Sequence, residues 1–133
     1  MTERDRVRDY LGKIKDDMNL RQWTIKVSDD LPPDDSWADV EVSQNLWTAT
    51  VRISNDFFKE SPEHQREILA HELSHVHYGS LERLVESLEK ILGDQAYKIL
   101  EHLWDIESER AADSIAVPLG RSLPLPNFKG GKR

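Results

Sequence analysis

The chain has no cysteine, and that absence removes three chemistries at once: disulfide staples, thiolate metal sites and cysteine nucleophiles. Any strong metal ligand must be a histidine or a carboxylate. No apolar run approaches the roughly twenty residues that a membrane-crossing helix needs, which argues against a membrane partner. The charged opening Met1-Thr2-Glu3-Arg4-Asp5-Arg6 lacks the apolar stretch of a secretory signal, so the expectation is a cytoplasmic protein. Positive charge is also scarce. Eighteen Lys and Arg stand against 25 Asp and Glu, a net charge of −7, and binding to a phosphate backbone depends on clustered cations; nucleic acid is not an expected partner. The one basic cluster, Lys129-Gly130-Gly131-Lys132-Arg133, reads as a flexible tail over 129–133.

What is present suits one core. A chain of 133 residues, 38% of them hydrophobic, is long enough for a single domain, placed over 1–128, and short for two. Val7, Tyr10, Leu11 and Ile14 recur at helical spacing, so a first helix is predicted from Thr2 to about Met18, with Thr2 and Asp5 at its cap. Alternation then predicts strands over 23–27, 38–42 and 47–53, with Ser43-Gln44-Asn45 as the turn between the last two. From Ser61-Pro62-Glu63 the period becomes helical, with Ile68, Leu69, Leu73 and Val76 on the apolar face and a stop at Gly79. Leu81, Leu84, Val85, Leu88, Ile91 and Leu92 predict a separate amphipathic helix from Ser80 to Gly93. Asp94 is placed to cap a fourth that Pro118 ends near Val117. The expected class is α+β: a small antiparallel or mixed three-stranded sheet packed against one helix, with further helices C-terminal.

The chemistry concentrates in His71-Glu72-Leu73-Ser74-His75. Residues four apart on a helix share a face, so two imidazoles can converge on one ion. Glu72, about a third of a turn round from His71, brings its carboxylate beside such an ion. That is the place for a general base serving an activated water. With five histidines in the chain, chance produces this spacing in roughly one to two per cent of shuffles, so the motif needs a companion. Glu109 and Asp113, again four apart, supply one: Glu109 as third metal ligand and Asp113 as acceptor for the other ring N–H of a ligand histidine. Ala111 and Ala112 leave room for close helix approach. Glu107 and His102 are alternative third ligands. His102, two turns before Glu109, and Tyr78, seven residues after His71, are also candidates to stabilise a transition state, although Tyr78 equally suits a buried aromatic. His77 points elsewhere and reads as a surface or packed residue.

The pairing of His71–His75 with Glu109–Asp113 resembles the gluzincins, zinc metallopeptidases that combine a His-Glu-x-x-His helix with a later Glu-x-x-x-Asp helix. The stretch from Glu107 to Pro118 is more narrowly similar to the ImmA/IrrE family of compact bacterial and phage peptidases that cut transcriptional regulators. The resemblance spans about residues 46–118. It implies a zincin-like fold, one Zn2+ per chain on His71, His75 and Glu109, with Asp113 supporting, and a protein or peptide substrate such as a regulator of a mobile element. Ser74 stands where that family commonly has Gly, Val117-Pro118 replaces a longer apolar stretch, and no helix-turn-helix module is expected. A competing reading keeps the zinc for structure and makes the chain a non-catalytic binding scaffold; the presence of Glu72 discriminates against it. In either case the strand 38–42 is expected to form the exposed sheet edge that meets an extended peptide, with Asp39 and Glu41 favouring basic or neutral sequences.

Overall fold

A computed structural model describes residues 1–130. Helix α1 (Glu3–Ile14) starts from a reciprocal cap: Thr2 Oγ1 accepts from Asp5 N at 3.1 Å and the Asp5 carboxylate accepts from Thr2 N at 3.0 Å. It ends four residues short of Met18. The chain then turns through Asn19 in the left-handed region (φ 60), which brings Met18 and Leu20 into the core as turn residues.

Three strands come next: β1 (Thr24–Val27), β2 (Ala38–Ser43) and β3 (Thr48–Ile53). The sheet is mixed, in the order β1-β3-β2, with β1 parallel and β2 antiparallel to β3. Ala49, Val51 and Ile53 point from β3 into the core. Thr48, Thr50 and Arg52 take the opposite face, as the two-residue strand period requires. The β2–β3 turn falls on Gln44–Trp47, one residue later than the spacing predicts, with Trp47 at φ 50.

A single 3-10 turn (Asp56–Lys59) leads to helix α2 (Pro62–Ser87), where Ser61 caps by accepting from His64 N at 3.2 Å. The expected stop at Gly79 does not occur. Instead α2 runs through it for two further turns, and the predicted third helix divides into the end of α2 and the short α3 (Glu89–Leu92). The reason is contact with β2. A Cβ at position 79 would collide with Gln44 Nε2 and lie 3.0 Å from Val42 Cγ1, so this glycine lets helix and strand approach rather than ending the helix.

A 26-residue helix spans about 39 Å at 1.5 Å per residue, whereas a six-residue strand spans about 20 Å. The end of α2 beyond Gly79 therefore projects past the sheet. Leu81, Leu84, Ile91 and Leu92, from the predicted amphipathic stripe, are exposed.

Helix α4 (Asp94–Gly120) returns along α2. Gly93, at φ 80, occupies its cap position; Asp94 makes no capping hydrogen bond and is the first helical residue, where its charge complements the helix dipole. Pro118 lies within the last turn instead of ending the helix at Val117. The helix closes with three-residue hydrogen bonds, Arg121 N to Pro118 O at 3.3 Å and Ser122 N to Leu119 O at 3.0 Å. Ala112, Ala116 and Gly120 are buried on its inner side.

The C-terminal segment closes the core beside α1. Phe128 is buried edge-on against Tyr10, whose hydroxyl donates to Pro124 O at 2.7 Å. Of the expected tail, Lys129 and Gly130 are exposed and residues 131–133 lie outside the described residues. Among the described residues the architecture is α+β, a three-stranded mixed sheet with four α-helices. No described helix is long and apolar enough to cross a membrane.

Candidate metal centre and its cleft

His71 and His75 sit on α2 in the part that still lies over the sheet, and Glu109 and Asp113 face them from α4. The two imidazole Nε2 atoms are 3.1 Å apart. Glu109 bridges them, with Oε2 3.0 Å from His71 and Oε1 2.9 Å from His75. Two imidazole nitrogens and one carboxylate, from residues distant in sequence, thus form a donor triangle, a group that can hold a metal ion. Zinc bonds of about 2.0–2.1 Å in tetrahedral array put neighbouring ligand atoms about 3.3 Å apart, close to the separation of the two imidazole nitrogens, and the carboxylate has an oxygen within reach of each of them.

The donor chemistry agrees with the spacing. Asp113 Oδ1 lies 2.7 Å from His71 Nδ1. A proton held there on Nδ1 leaves the lone pair on Nε2, directed at His75 and Glu109. His75 is held below the usual histidine range, by burial first and then by the neighbouring His71, against the opposing pull of Glu109. The lowered pKa of His75 favours an unprotonated ring nitrogen on its side of the triangle. Both imidazole side chains are largely covered, at 16% and 19% exposure, while Glu109 and Asp113 are 60% and 65% exposed. The histidines are fixed in the fold, and the carboxylates reach in from the solvent side.

Glu72 lines the same cleft, is only 8% exposed, and no hydrogen-bond donor among the described residues reaches its carboxyl. Its pKa is pushed well above the usual carboxylate range, mainly by burial, then by Glu109, Asp39 and Asp34. An unpaired buried carboxyl is costly to keep; such groups cluster where a protein performs chemistry.

The cleft itself measures about 860 Å3 and runs between the free edge of β2, the outer side of α2 and the facing side of α4. Tyr78 lines it, its ring 6.4 Å from that of His75. His102 does not line it: seven residues before Glu109 is about 10 Å along the helix axis, and the side chain is exposed there. Glu107 accepts from Arg110 Nη1 at 2.9 Å on the α4 surface and lies outside the donor triangle. His77 is an exposed residue whose Nε2 lies 2.7 Å from Met18 O, pinning the turn after α1.

The expected acidic edge of β2 is corrected. Asp39 borders the cleft, but its carboxylate accepts two hydrogen bonds from Arg52, at 2.8 and 2.6 Å. Glu41 is not among the lining residues. Along β2, Ala38, Val40 and Val42 take the α2 side, which turns the side chains of Asp39 and Glu41 to the other face.

Sequence reading missed one pair that the structure places at the cleft mouth. His64 Nδ1 lies 2.6 Å from Glu60 Oε1, and its ring meets Trp37 edge-on at 4.4 Å. Glu60 and His64 are four apart, a spacing that announces the ion pair; nothing local announces Trp37, which arrives from the loop before β2. No protein-family model, curated protein or solved structure matches this chain, so its functional reading rests on this geometry and on the motif.

Proposed function

We propose that the chain is a zinc-dependent endopeptidase of zincin-like fold, similar to the gluzincins and to the ImmA/IrrE family among them, acting on a cytoplasmic protein such as a regulator. One observation carries the reading: His71 Nε2 and His75 Nε2 lie 3.1 Å apart, with Glu109 Oε2 3.0 Å from the first and Glu109 Oε1 2.9 Å from the second, flanked in the same cleft by the unpaired carboxyl of Glu72. His71, His75 and Glu109 would hold one Zn2+, which when bound supplies a Lewis acid for a peptide carbonyl and for a water.

The remaining roles belong to the chain. Glu72 takes a proton from the attacking water at its carboxylate and returns it to the leaving amine, which the direct sequence neighbour of a ligand is placed to do. Asp113 holds the His71 ring in the tautomer that offers Nε2. Tyr78 is the candidate to donate to the oxyanion, since it shares the cleft. The free edge of β2 offers backbone N–H and C=O groups to an extended peptide laid alongside it.

The test is metal content and peptidolysis measured together. Wild type and Glu72→Gln are expected to purify with about one zinc per chain, and His71→Ala and Glu109→Ala with little. Digestion of a peptide library should stop in Glu72→Gln although its zinc remains. Full zinc in Glu109→Ala would remove the third-ligand assignment. Undiminished cleavage by Glu72→Gln would remove the general base.

A further inference from the structure

Charge is distributed very unevenly in the cleft. Asp34 and Asp35 line it on the loop before β2, Glu67, Glu82 and Glu86 on α2 and Asp105 on α4, whereas Arg83 is the only Lys or Arg among its lining residues. The acids at the far end lie close enough to act on one another: burial, then Glu86 and Asp105, raise the pKa of Glu82. Asp34 keeps its charge, held below the usual carboxylate range by hydrogen bonds from the Ser36 hydroxyl and backbone N–H. At the centre the side chain of Glu72, nine-tenths buried, faces the cleft without a donor among the described residues. Arg52, which pairs with Asp39 through two hydrogen bonds, also acts on Asp34 electrostatically but forms no ion pair with it. An exposed aromatic completes it: Trp37, 43% exposed, borders the cleft beside Asp35 and Ser36, offering a face to which Lys and Arg are attracted.

We propose that the cleft selects extended peptide segments rich in Lys and Arg, with cationic side chains on one side of the central site received by Asp34, Asp35 and Trp37 and on the other by Glu82, Glu86 and Asp105. Cleavage after binding rests on the peptidase reading, but the selection itself is a property of the cleft. A trough of one sign with low-dielectric walls concentrates partners of the opposite sign and repels like ones. The position of the acids on both sides of His71 and His75 makes the preference two-sided, unlike a single specificity pocket. Backbone pairing with β2 would be indifferent to sequence, so charge is what distinguishes one segment from another.

The experiment uses three fluorescein-labelled dodecapeptides, identical except that four positions are all lysine, all glutamine or all glutamate, titrated by fluorescence anisotropy into zinc-loaded full-length Glu72→Gln. The lysine peptide should bind at least about tenfold more tightly than the glutamine peptide, and the glutamate peptide most weakly, with the gap narrowing in high salt. Combining Glu82→Gln, Glu86→Gln and Asp105→Asn should reduce the gap several-fold. The same number of charges removed elsewhere, in Asp9→Asn, Asp17→Asn and Asp29→Asn, should leave it, which separates the cleft from the net charge of the chain. Equal binding of the three peptides, or equal effects of the two triple variants, would overturn the proposal. Wild-type digestion of the same peptides separates the two readings. Cleavage of all three at one rate would sink the charge preference and keep the peptidase; tight binding of the lysine peptide without cleavage would do the reverse.

Discussion

Asp113 Oδ1 lies 2.7 Å from Nδ1 of His71, across the α2–α4 interface. Because the other ring nitrogen of His71 is the one in the donor triangle, this contact fixes which nitrogen is free to bind a metal. Asp113→Ala is expected to weaken zinc affinity about 10–100-fold, read by competition with a fluorescent chelator. Asp113→Asn should recover much of the loss, since its amide oxygen still accepts the Nδ1 proton. Unchanged affinity in both would show that the ring is oriented by something else.

Two helical glycines should respond in opposite directions. At Gly12 an added Cβ meets nothing within 4 Å, so Gly12→Ala should raise stability by about 0.5–1 kcal/mol through helix propensity. Gly79 faces β2, and a Cβ added there would lie 3.0 Å from Val42 Cγ1. Gly79→Leu should cost about 1–3 kcal/mol through overpacking and lower the zinc affinity, since His75 and Tyr78 lie on the adjoining turn. Urea unfolding of both variants checks the signs.

Tyr10 sets an alkaline limit. Burial pushes its hydroxyl from about 10 up to about 12, and the neutral form donates to Pro124 O. A pKa raised in the folded state gives a contribution fully present below pH 10 and lost as pH climbs toward 12. The loss amounts to about 3 kcal/mol from a shift of that size. Tyr10→Phe should be less stable at neutral pH by about 1 kcal/mol and show a flatter decline between pH 10 and 12. Parallel declines in guanidinium denaturation of the two proteins would refute the assignment.

The Asp39–Arg52 pair makes a structural prediction with a functional corollary. Both side chains are 28% exposed and the contact has two hydrogen bonds. Asp39→Asn should therefore cost about 1 kcal/mol, at the upper end for a partly exposed pair, without changing which peptides are bound. A shift in peptide preference would give Asp39 a part in peptide selection.

The sequence made the elements and the donor set legible because both rest on local spacing. His71 with His75 and Glu109 with Asp113 are each a single-turn relation that a helix imposes wherever it forms. The capping box at Thr2 and Asp5 and the alternation of β3 are local in the same way. What stayed hidden depends on contacts across the fold. Gly79 looks like a helix stop until β2 is seen against it, Asp39 looks like a cleft acid until Arg52 is seen beside it, and His102 looks like a ligand until axial distance is counted. The stripe from Leu81 to Leu92 has the right period for a core, but the sheet is too short to cover it. The acid walls of the cleft come from a loop and two helices, so no window of sequence contains them.

His71 and Glu109 stand on opposite sides of the long excursion through the tip of α2, α3 and the first half of α4. Tied to a common ion, they would close a loop of roughly 38 residues, which by polymer entropy restricts the unfolded chain by about 3–4 kcal/mol. In a protein without cysteine this would be its only cross-link, and a reversible one. Chelation would then act on this chain much as a reductant acts on a disulfide-bonded protein, loosening the helical hairpin while leaving the sheet and α1 in place.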